Sequence, residues 1–233
     1  MSDRVHSLVV FDIDGTLLDT VEDHVGAYLE ALDLFDLSNI DSRWDLYPEH
    51  TDSAILHELF QRHRGRRATS DELGAFGRRL AQAFDSRTRG VPLQLIPGAE
   101  AVLVTIRNAP SVACALATGG LREVSIPKVS RLAPYIEPDA VMTASDEESR
   151  ANILARAVAL CVDQTGGTFD RVIYVGDGPW DAIAARGHGV SFIGVGPSID
   201  RFRGECADDD FVGSLDSTRL LEELGLLGSG TGL

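Results

Sequence analysis

Leu8-Val9-Val10-Phe11-Asp12-Ile13-Asp14-Gly15-Thr16-Leu17-Leu18-Asp19-Thr20 is the stretch that decides the fold. Its first part, Leu8 to Phe11, is a continuous apolar run, the pattern of a strand buried on both faces of a parallel sheet. The run breaks into two carboxylates two residues apart, then Gly15 and Thr16. A strand has no structural use for aspartates at its C-terminal end, whereas that edge of an open α/β sheet is where ligands bind. Two close carboxylates repel each other unless a cation or a proton lies between them. The structural alternative is a polar turn with an aspartate capping the next helix.

Downstream, Val21, Val25, Tyr28, Leu29, Leu32 and Phe35 are spaced for a helix over 20–35, capped by Asp19 or Thr20. A polar stretch with Trp44 and Tyr47 follows. Further helices are predicted over 52–62 and 70–87, the second capped by Ser70. Residues 20–95 therefore read as an inserted helical module without a strand. From Pro97-Gly98 the pattern alternates. It predicts a helix over 99–107, a strand over 112–117, and a helix over 121–132 that Pro127 should bend or restart. A strand over 140–143 precedes a helix opened by the capping-box pattern Ser145-x-x-Glu148 and running to about 162. A strand over 172–175, a helix from Pro179 to 186 and a strand over 190–195 come next. A short edge strand over 210–212, a last helix over 216–227 and a flexible tail over 228–233 complete the chain. Strands alternating with helices predict an α/β fold with a doubly wound parallel sheet.

Three predicted strand ends carry polar residues: Asp12 with Asp14, Thr118, and Asp177. In a parallel sheet these ends share one edge, so the groups converge. Val9-Val10-Phe11-Asp12-Ile13-Asp14-Gly15-Thr16 resembles the first motif of the haloacid dehalogenase-like hydrolases, an apolar run followed by DxDGT. Ala113-Cys114-Ala115-Leu116-Ala117-Thr118-Gly119 resembles the second, and Gly176-Asp177-Gly178-Pro179-Trp180-Asp181 the fourth, GDxxxD. The third motif supplies a cation, commonly Lys. The chain has one lysine, Lys128, and twenty arginines. Lys128 falls ten residues after Thr118, in a different element. Arg150, before Ala151-Asn152-Ile153-Leu154, holds the expected place and is assigned the role.

The resemblance implies a Rossmann-like core over 1–19 and 96–233 and a helical C1 cap over 20–95. It implies a phosphatase acting on a small phosphorylated metabolite through an aspartyl-phosphate. Asp12 would be the nucleophile and Asp14 the general acid/base. Thr118 and the Gly119 amide would hold the phosphoryl group, and Arg150 would offset its charge. Mg²⁺ would be held by Asp12, Asp177 and the Asp14 carbonyl, with Asp181 holding a metal-bound water or fixing Arg150. Aspartate at position 14 points to phosphate esters rather than to dehalogenation. The alternatives are a phosphomutase similar to β-phosphoglucomutase, and a catalytically silent binding protein on the same fold. Within the cap, Trp44 to Ser53 is the expected substrate-facing loop, with His50, Thr51 and Asp52 as candidates. The cluster Arg62, His63, Arg64, Arg66 and Arg67 reads as a solvated turn or an attractor of anions. The histidines read as structural or surface residues, and Trp180 as a packing residue.

Composition bounds the remainder. Of 233 residues, 44% are apolar and 24% charged, as in ordinary globular proteins. A net charge of −15 disfavours nucleic acid and anionic membranes as partners. No apolar run approaches the ~20 residues of a membrane span, and no secretory leader is recognisable, so a cytoplasmic location is expected. Cys114, Cys161 and Cys206 lack a pairing pattern and read as reduced. Oligomeric state is not legible.

Overall fold

The computed structural model describes residues 6–226 except residue 38, and the backbone alone at residues 45 and 209. The tail predicted over 228–233 lies outside the described residues. Six strands form one sheet in which every pairing is parallel: β1 (Ser7–Phe11), β2 (Val112–Ala117), β3 (Ala140–Met142), β4 (Arg171–Gly176), β5 (Ser191–Val195) and β6 (Phe211–Val212). Their order is β3-β2-β1-β4-β5-β6, so the chain winds one way from β1 and then returns to wind the other. The switch lies between β1 and β4, the position where doubly wound sheets open a crevice at their carboxyl edge. Phe11 pairs with Leu116 on one side and Val175 on the other. That register places Asp12, Thr118 and Asp177 within one residue of the same level.

Alternate residues of β1 face opposite layers. Leu8 and Val10 join a cluster with Ala157, Cys161 and the aromatic residues of the inserted helices. Val9 and Phe11 pack with Val102, Leu103, Ile106 and Leu220 on the other side. The covering helices are α4 (Ala99–Arg107), α5 (Arg122–Leu132), α6 (Arg150–Thr165), α7 (Pro179–Gly187) and α8 (Thr218–Glu223).

Between β1 and α4 lie α1 (Val21–Leu32), α2 (Asp52–Arg64) and α3 (Ser70–Thr88), with no strand among the described residues there. Aromatic edge contacts join them: Tyr28 meets Phe76 at 4.8 Å and Phe35 meets Phe60 at 4.9 Å between ring centroids. Such pairs contribute about 0.5–1.5 kcal/mol each beyond the area they bury.

Several local expectations are corrected. The cap of α3 is Thr69, which forms a full capping box with Glu72, and Ser70 is the first helical residue. Helix α6 begins one turn later than Ser145-x-x-Glu148 suggests. Its cap is Ser149, whose Oγ accepts from the Asn152 amide. Ser145 Oγ is taken by the Arg122 amide and the Glu148 carbonyl by the Thr51 hydroxyl, so that pattern is used in tertiary contacts. Helix α5 neither ends nor restarts at Pro127. Packing of Val124, Ser125, Lys128 and Leu132 outweighs the one lost backbone bond. The last helix is the short α8 rather than 216–227.

Candidate active site

The carboxyl edge of the sheet opens into a cavity of about 270 Å³, lined on this side by Asp12, Asp14, Thr118, Gly119, Arg150 and Asp177. These are six of the seven residues expected from the motifs. Asp12 leaves β1 with its amide still bonded to the Val175 carbonyl, which fixes where its carboxylate emerges. Gly15 has φ +81°, and a Cβ there would collide with the Asp177 carboxylate. Position 15 therefore needs glycine twice over, for the left-handed turn and for the close approach. Gly119 is similarly confined, since a Cβ would lie 2.7 Å from the His50 carbonyl oxygen and 3.0 Å from Arg150.

Arg150, the first residue of α6, is buried and reaches Asp12, with Nη1 2.9 Å from Oδ1. Its Nε lies 3.3 Å from Asp181 Oδ1. Asp181 is the seventh expected residue. It does not line the cavity but sits fully buried behind Arg150, paired with it by charge and accepting from the Tyr174 hydroxyl (2.8 Å) and the Gly178 amide (3.2 Å). A guanidinium hydrogen-bonded to Asp12 through Nη1, with Asp181 paired by charge at its Nε side, spans two carboxylates in a way a lysine would not. Burial disfavours the charge on Arg150, yet Asp181 and Asp12 hold it firmly protonated.

The expectation that Lys128 lies outside the site is overturned. Lys128 projects from α5, wholly buried, and its Nζ sits 2.5 Å from Asp14 Oδ1 and 2.8 Å from His24 Nδ1, with the Phe84 ring centroid 4.5 Å away. His24 Nε2 lies 2.9 Å from Asp52 Oδ1, and Asp52 Oδ2 accepts from the Leu121 amide at 2.8 Å. A continuous polar chain thus runs Asp14–Lys128–His24–Asp52 from the sheet edge into the inserted helices. Thr20 donates its hydroxyl to Asp14 instead of capping α1. Burial pushes the Asp14 carboxyl up, but Lys128 and His24 outweigh it and hold its pKa at about 2. His24 is therefore a site residue rather than a surface one. The signal available in the sequence was its place beside Val21, Val25 and Tyr28 on the apolar stripe of α1.

Residues 50–53 seal the inserted helices to the sheet edge. The Asp52 amide donates to the Gly119 carbonyl, Thr51 Oγ to the Glu148 carbonyl and Ser53 Oγ to the Ala144 carbonyl, at 2.7–3.0 Å. The His50 ring stacks flat on Trp180, with centroids 3.5 Å apart and planes within 4°. Trp180 both packs and lines the cavity. Trp44, His50, Thr51 and Asp52 line it too, whereas Arg62, Arg64, Arg66 and Arg67 do not. Arg62 pairs with Glu58, Arg64 and Arg66 with Glu72, and Arg67 with Glu148. This basic turn is a solvated salt-bridge cluster, not part of the cavity.

Carboxylate oxygens of Asp12, Asp177 and Asp181 lie within 4.8 Å of one another. Burial and then mutual repulsion raise the Asp12 pKa well above the usual range despite Arg150, and lift Asp177 to about 7 despite Arg201. Crowded, buried carboxylates of this kind fit a hard divalent cation, which Mg²⁺-type sites meet with one or two carboxylates. Arg201, not anticipated from sequence, places Nη2 2.6 Å from Asp177 Oδ2. It comes from the turn Ile199–Phe202 after β5.

A family model of haloacid dehalogenase-like hydrolases matches residues 6–189. Among solved structures, a hydrolase from Pseudomonas syringae is 23% identical, with a TM-score of 0.70 over 92% of this chain and 97% of that one. CbbY from Rhodobacter sphaeroides, in complex with phosphate, is 18% identical with a TM-score of 0.68, over 93% and 96%. A structure described as a predicted phosphoglycolate phosphatase from Haemophilus somnus is 15% identical with a TM-score of 0.67, over 95% and 99%. None of the curated proteins matches. No helix among the described residues is long and apolar enough to cross a membrane. With the family model spanning β1 through α7, the chain belongs to the haloacid dehalogenase-like hydrolases.

Proposed function

We propose that this chain is a Mg²⁺-dependent phosphatase that hydrolyses a small phosphorylated metabolite through an aspartyl-phosphate. The observation that carries the reading is the pair Asp12 and Asp14 at one cavity edge, each with its own buried cation, Arg150 and Lys128. Lys128 keeps Asp14 ionised, whereas burial raises the Asp12 pKa well above the usual range despite Arg150, so Asp12 would be ionised for attack once a cation is bound beside it. Asp12 Oδ attacks phosphorus, the ester P–O bond breaks, and an acyl-phosphate forms. Arg150, the Thr118 hydroxyl and the Gly119 amide face the same cavity and offset the phosphoryl charge. Asp14 passes a proton to the leaving oxygen and recovers one from the water that cleaves the acyl-phosphate. With Lys128 on it, Asp14 rests as a base, and an arriving phosphoryl anion beside it raises its proton affinity, so that Asp14 takes up from solvent the proton it then gives to the leaving oxygen.

The metal would be held by Asp12, Asp177 and the Asp14 carbonyl, with Asp181 behind them orienting Arg150. When bound it would neutralise phosphoryl charge as a Lewis acid. Residues 20–95 form the cap and residues 1–19 and 96–233 the core, so the cavity lies at their junction. Solved relatives bound to phosphate and, for a CbbY variant, to xylulose-(1,5)bisphosphate support a small phosphorylated substrate. The test is phosphate release from a broad panel of phosphate monoesters, with and without Mg²⁺, by the wild type and by Asp12→Asn. The wild type should turn over at least one ester only with the metal, and Asp12→Asn should lose turnover by several orders of magnitude. Surviving turnover in Asp12→Asn refutes the nucleophile.

A further inference from the structure

The cavity has two chemically unlike ends. The sheet end holds the aspartates and arginines described above. The apolar part of the lining is Val25 from α1, Tyr28, Trp44 and Ile55, with Val21 beside Gly15 at the sheet edge. Tyr28 and Trp44 form an aromatic corner, with ring centroids 5.3 Å apart. The Tyr28 hydroxyl donates to the Asp52 carbonyl, which leaves the ring rather than the oxygen for a ligand.

The charges at this end are already matched. His24 and Asp52 hold each other, and Lys128 lies behind them, buried on Asp14 and His24. Of the arginines, only Arg150 and Arg201 line the cavity among the described residues, and they sit on Asp12 and Asp177. The basic turn of the inserted helices is outside the cavity and matched by glutamates. A second anionic group on the substrate would therefore find no lysine or further arginine lining the cavity among the described residues, and the two histidines that do line it are bonded to Asp52 (His24) and stacked on Trp180 (His50). Its desolvation would be uncompensated. An apolar group would instead cover the wall. The volume, about 270 Å³, is below the usual range for drug-sized ligands, so a phosphoryl group plus one ring or a short chain fills it.

We propose that the ester cleaved here is a monophosphate whose leaving group is uncharged and presents an aromatic or aliphatic face, not a carboxylate and not a second phosphate. This rests on the phosphatase reading. The aromatic corner selects the leaving group by covering its apolar face, and the matched charges reject anions by offering them no partner.

The test compares two primary-alkyl esters of similar intrinsic reactivity, 2-phenylethyl phosphate and phosphoglycolate, with acetyl phosphate reporting the phosphoryl chemistry alone. All are assayed on the Mg²⁺-loaded wild type. The expected kcat/KM for 2-phenylethyl phosphate is at least tenfold above that for phosphoglycolate. Equal values, or a preference for phosphoglycolate, overturn the proposal while leaving the phosphatase reading intact. No release from any of the three, acetyl phosphate included, refutes the phosphatase reading and this proposal with it. Trp44→Ala, at a half-buried position, should raise KM for 2-phenylethyl phosphate about tenfold and collapse the preference. An equal loss on both alkyl esters also overturns the proposal.

Discussion

Lys128→Met removes the ammonium from Asp14 while keeping most of the side-chain volume. Asp14 is held at about 2 against an ordinary 3.8, so the folded protein favours its ionised form by about 2.5 kcal/mol. That preference is what remains after burial has opposed it. Without the ammonium only His24 and the Thr20 hydroxyl are left to oppose burial, the largest influence on Asp14, and breaking a buried pair costs about 3–5 kcal/mol. Asp14 retains 17% exposure and can take up a proton, which limits the loss. The expected cost is about 3 kcal/mol at pH 7 in metal-free protein, a fall in Tm of about 6–12 °C for a domain of this size. Urea unfolding of four proteins, the wild type, Lys128→Met, Asp14→Asn and the double variant, isolates the pair. The double variant should be more stable than Lys128→Met alone, because no buried charge is left unmatched. The pH dependence has a definite sign. In Lys128→Met, folded Asp14 binds its proton at a higher pH than the unfolded chain does, so that variant gains stability as pH falls from 7 towards 4.5. Wild-type Asp14, ionised until about pH 2, contributes no change in that window, and the gap narrows. A cost below 1 kcal/mol, or a double variant no better than Lys128→Met, refutes the reasoning.

Three other perturbations probe the same architecture. Arg150→Ala leaves Asp12 and Asp181 facing each other without their shared cation; kcat should fall at least a hundredfold, and Arg150→Lys should restore only part of it, because one compact ammonium cannot lie beside both carboxylates as the planar guanidinium does. Arg201→Gln frees Asp177 from a half-exposed ion pair, so Mg²⁺ affinity measured by calorimetry without substrate should rise about two- to fivefold, the yield of a pair of about 0.5–1 kcal/mol; an affinity that falls removes Arg201 as the metal's competitor. Ser149→Ala removes the cap of α6 and should lower stability by about 1 kcal/mol, whereas Ser145→Ala should leave that helix's amide exchange unchanged.

The sheet and the polar residues at its carboxyl edge were legible because they depend on short-range signals. Strand runs such as Val112–Ala117 are continuous and apolar, and their ends break sharply into Thr118 and Asp177. Parallel register then aligns those ends with Asp12 whatever the helices do. Lys128 was harder, since its contact depends on which face α5 presents to the site. Distance along the chain from Thr118 was the wrong measure. The better one was present: Lys128 lies four residues after Val124 and four before Leu132, on the stripe that α5 buries. A lysine on a buried stripe needs a carboxylate, and Asp14 was the unmatched one. Arg201 gave no such signal, because it sits on an irregular turn whose direction is set only when β5 and α7 have packed. The misplaced start of α6 has the same origin. Ser145 and Ser149 are equally good caps by local chemistry, and the choice falls to Ser149 because Arg122 and Thr51 occupy the groups that the earlier start would need.

The arrangement of charge also resolves the apparent conflict between a net charge of −15 and an anionic substrate. Along the chain most arginines are matched on the surface, as in the Glu58, Glu72 and Glu148 pairs, and create no basic field. Attraction must therefore be local. At the cavity edge, Arg150 and Lys128 are buried cations, seated on Asp12 and Asp14 respectively, so the cost of desolvating them is met within the fold before a substrate arrives. Asp52 ties this arrangement to the inserted helices. Its amide and one carboxylate oxygen hold the sheet-edge loop at Gly119 and Leu121, and its other oxygen holds His24. His24 in turn contacts the ammonium that keeps Asp14 ionised. The seam that closes the cavity and the chain that sets the charge state of Asp14 thus pass through one residue, so neither is complete without the other.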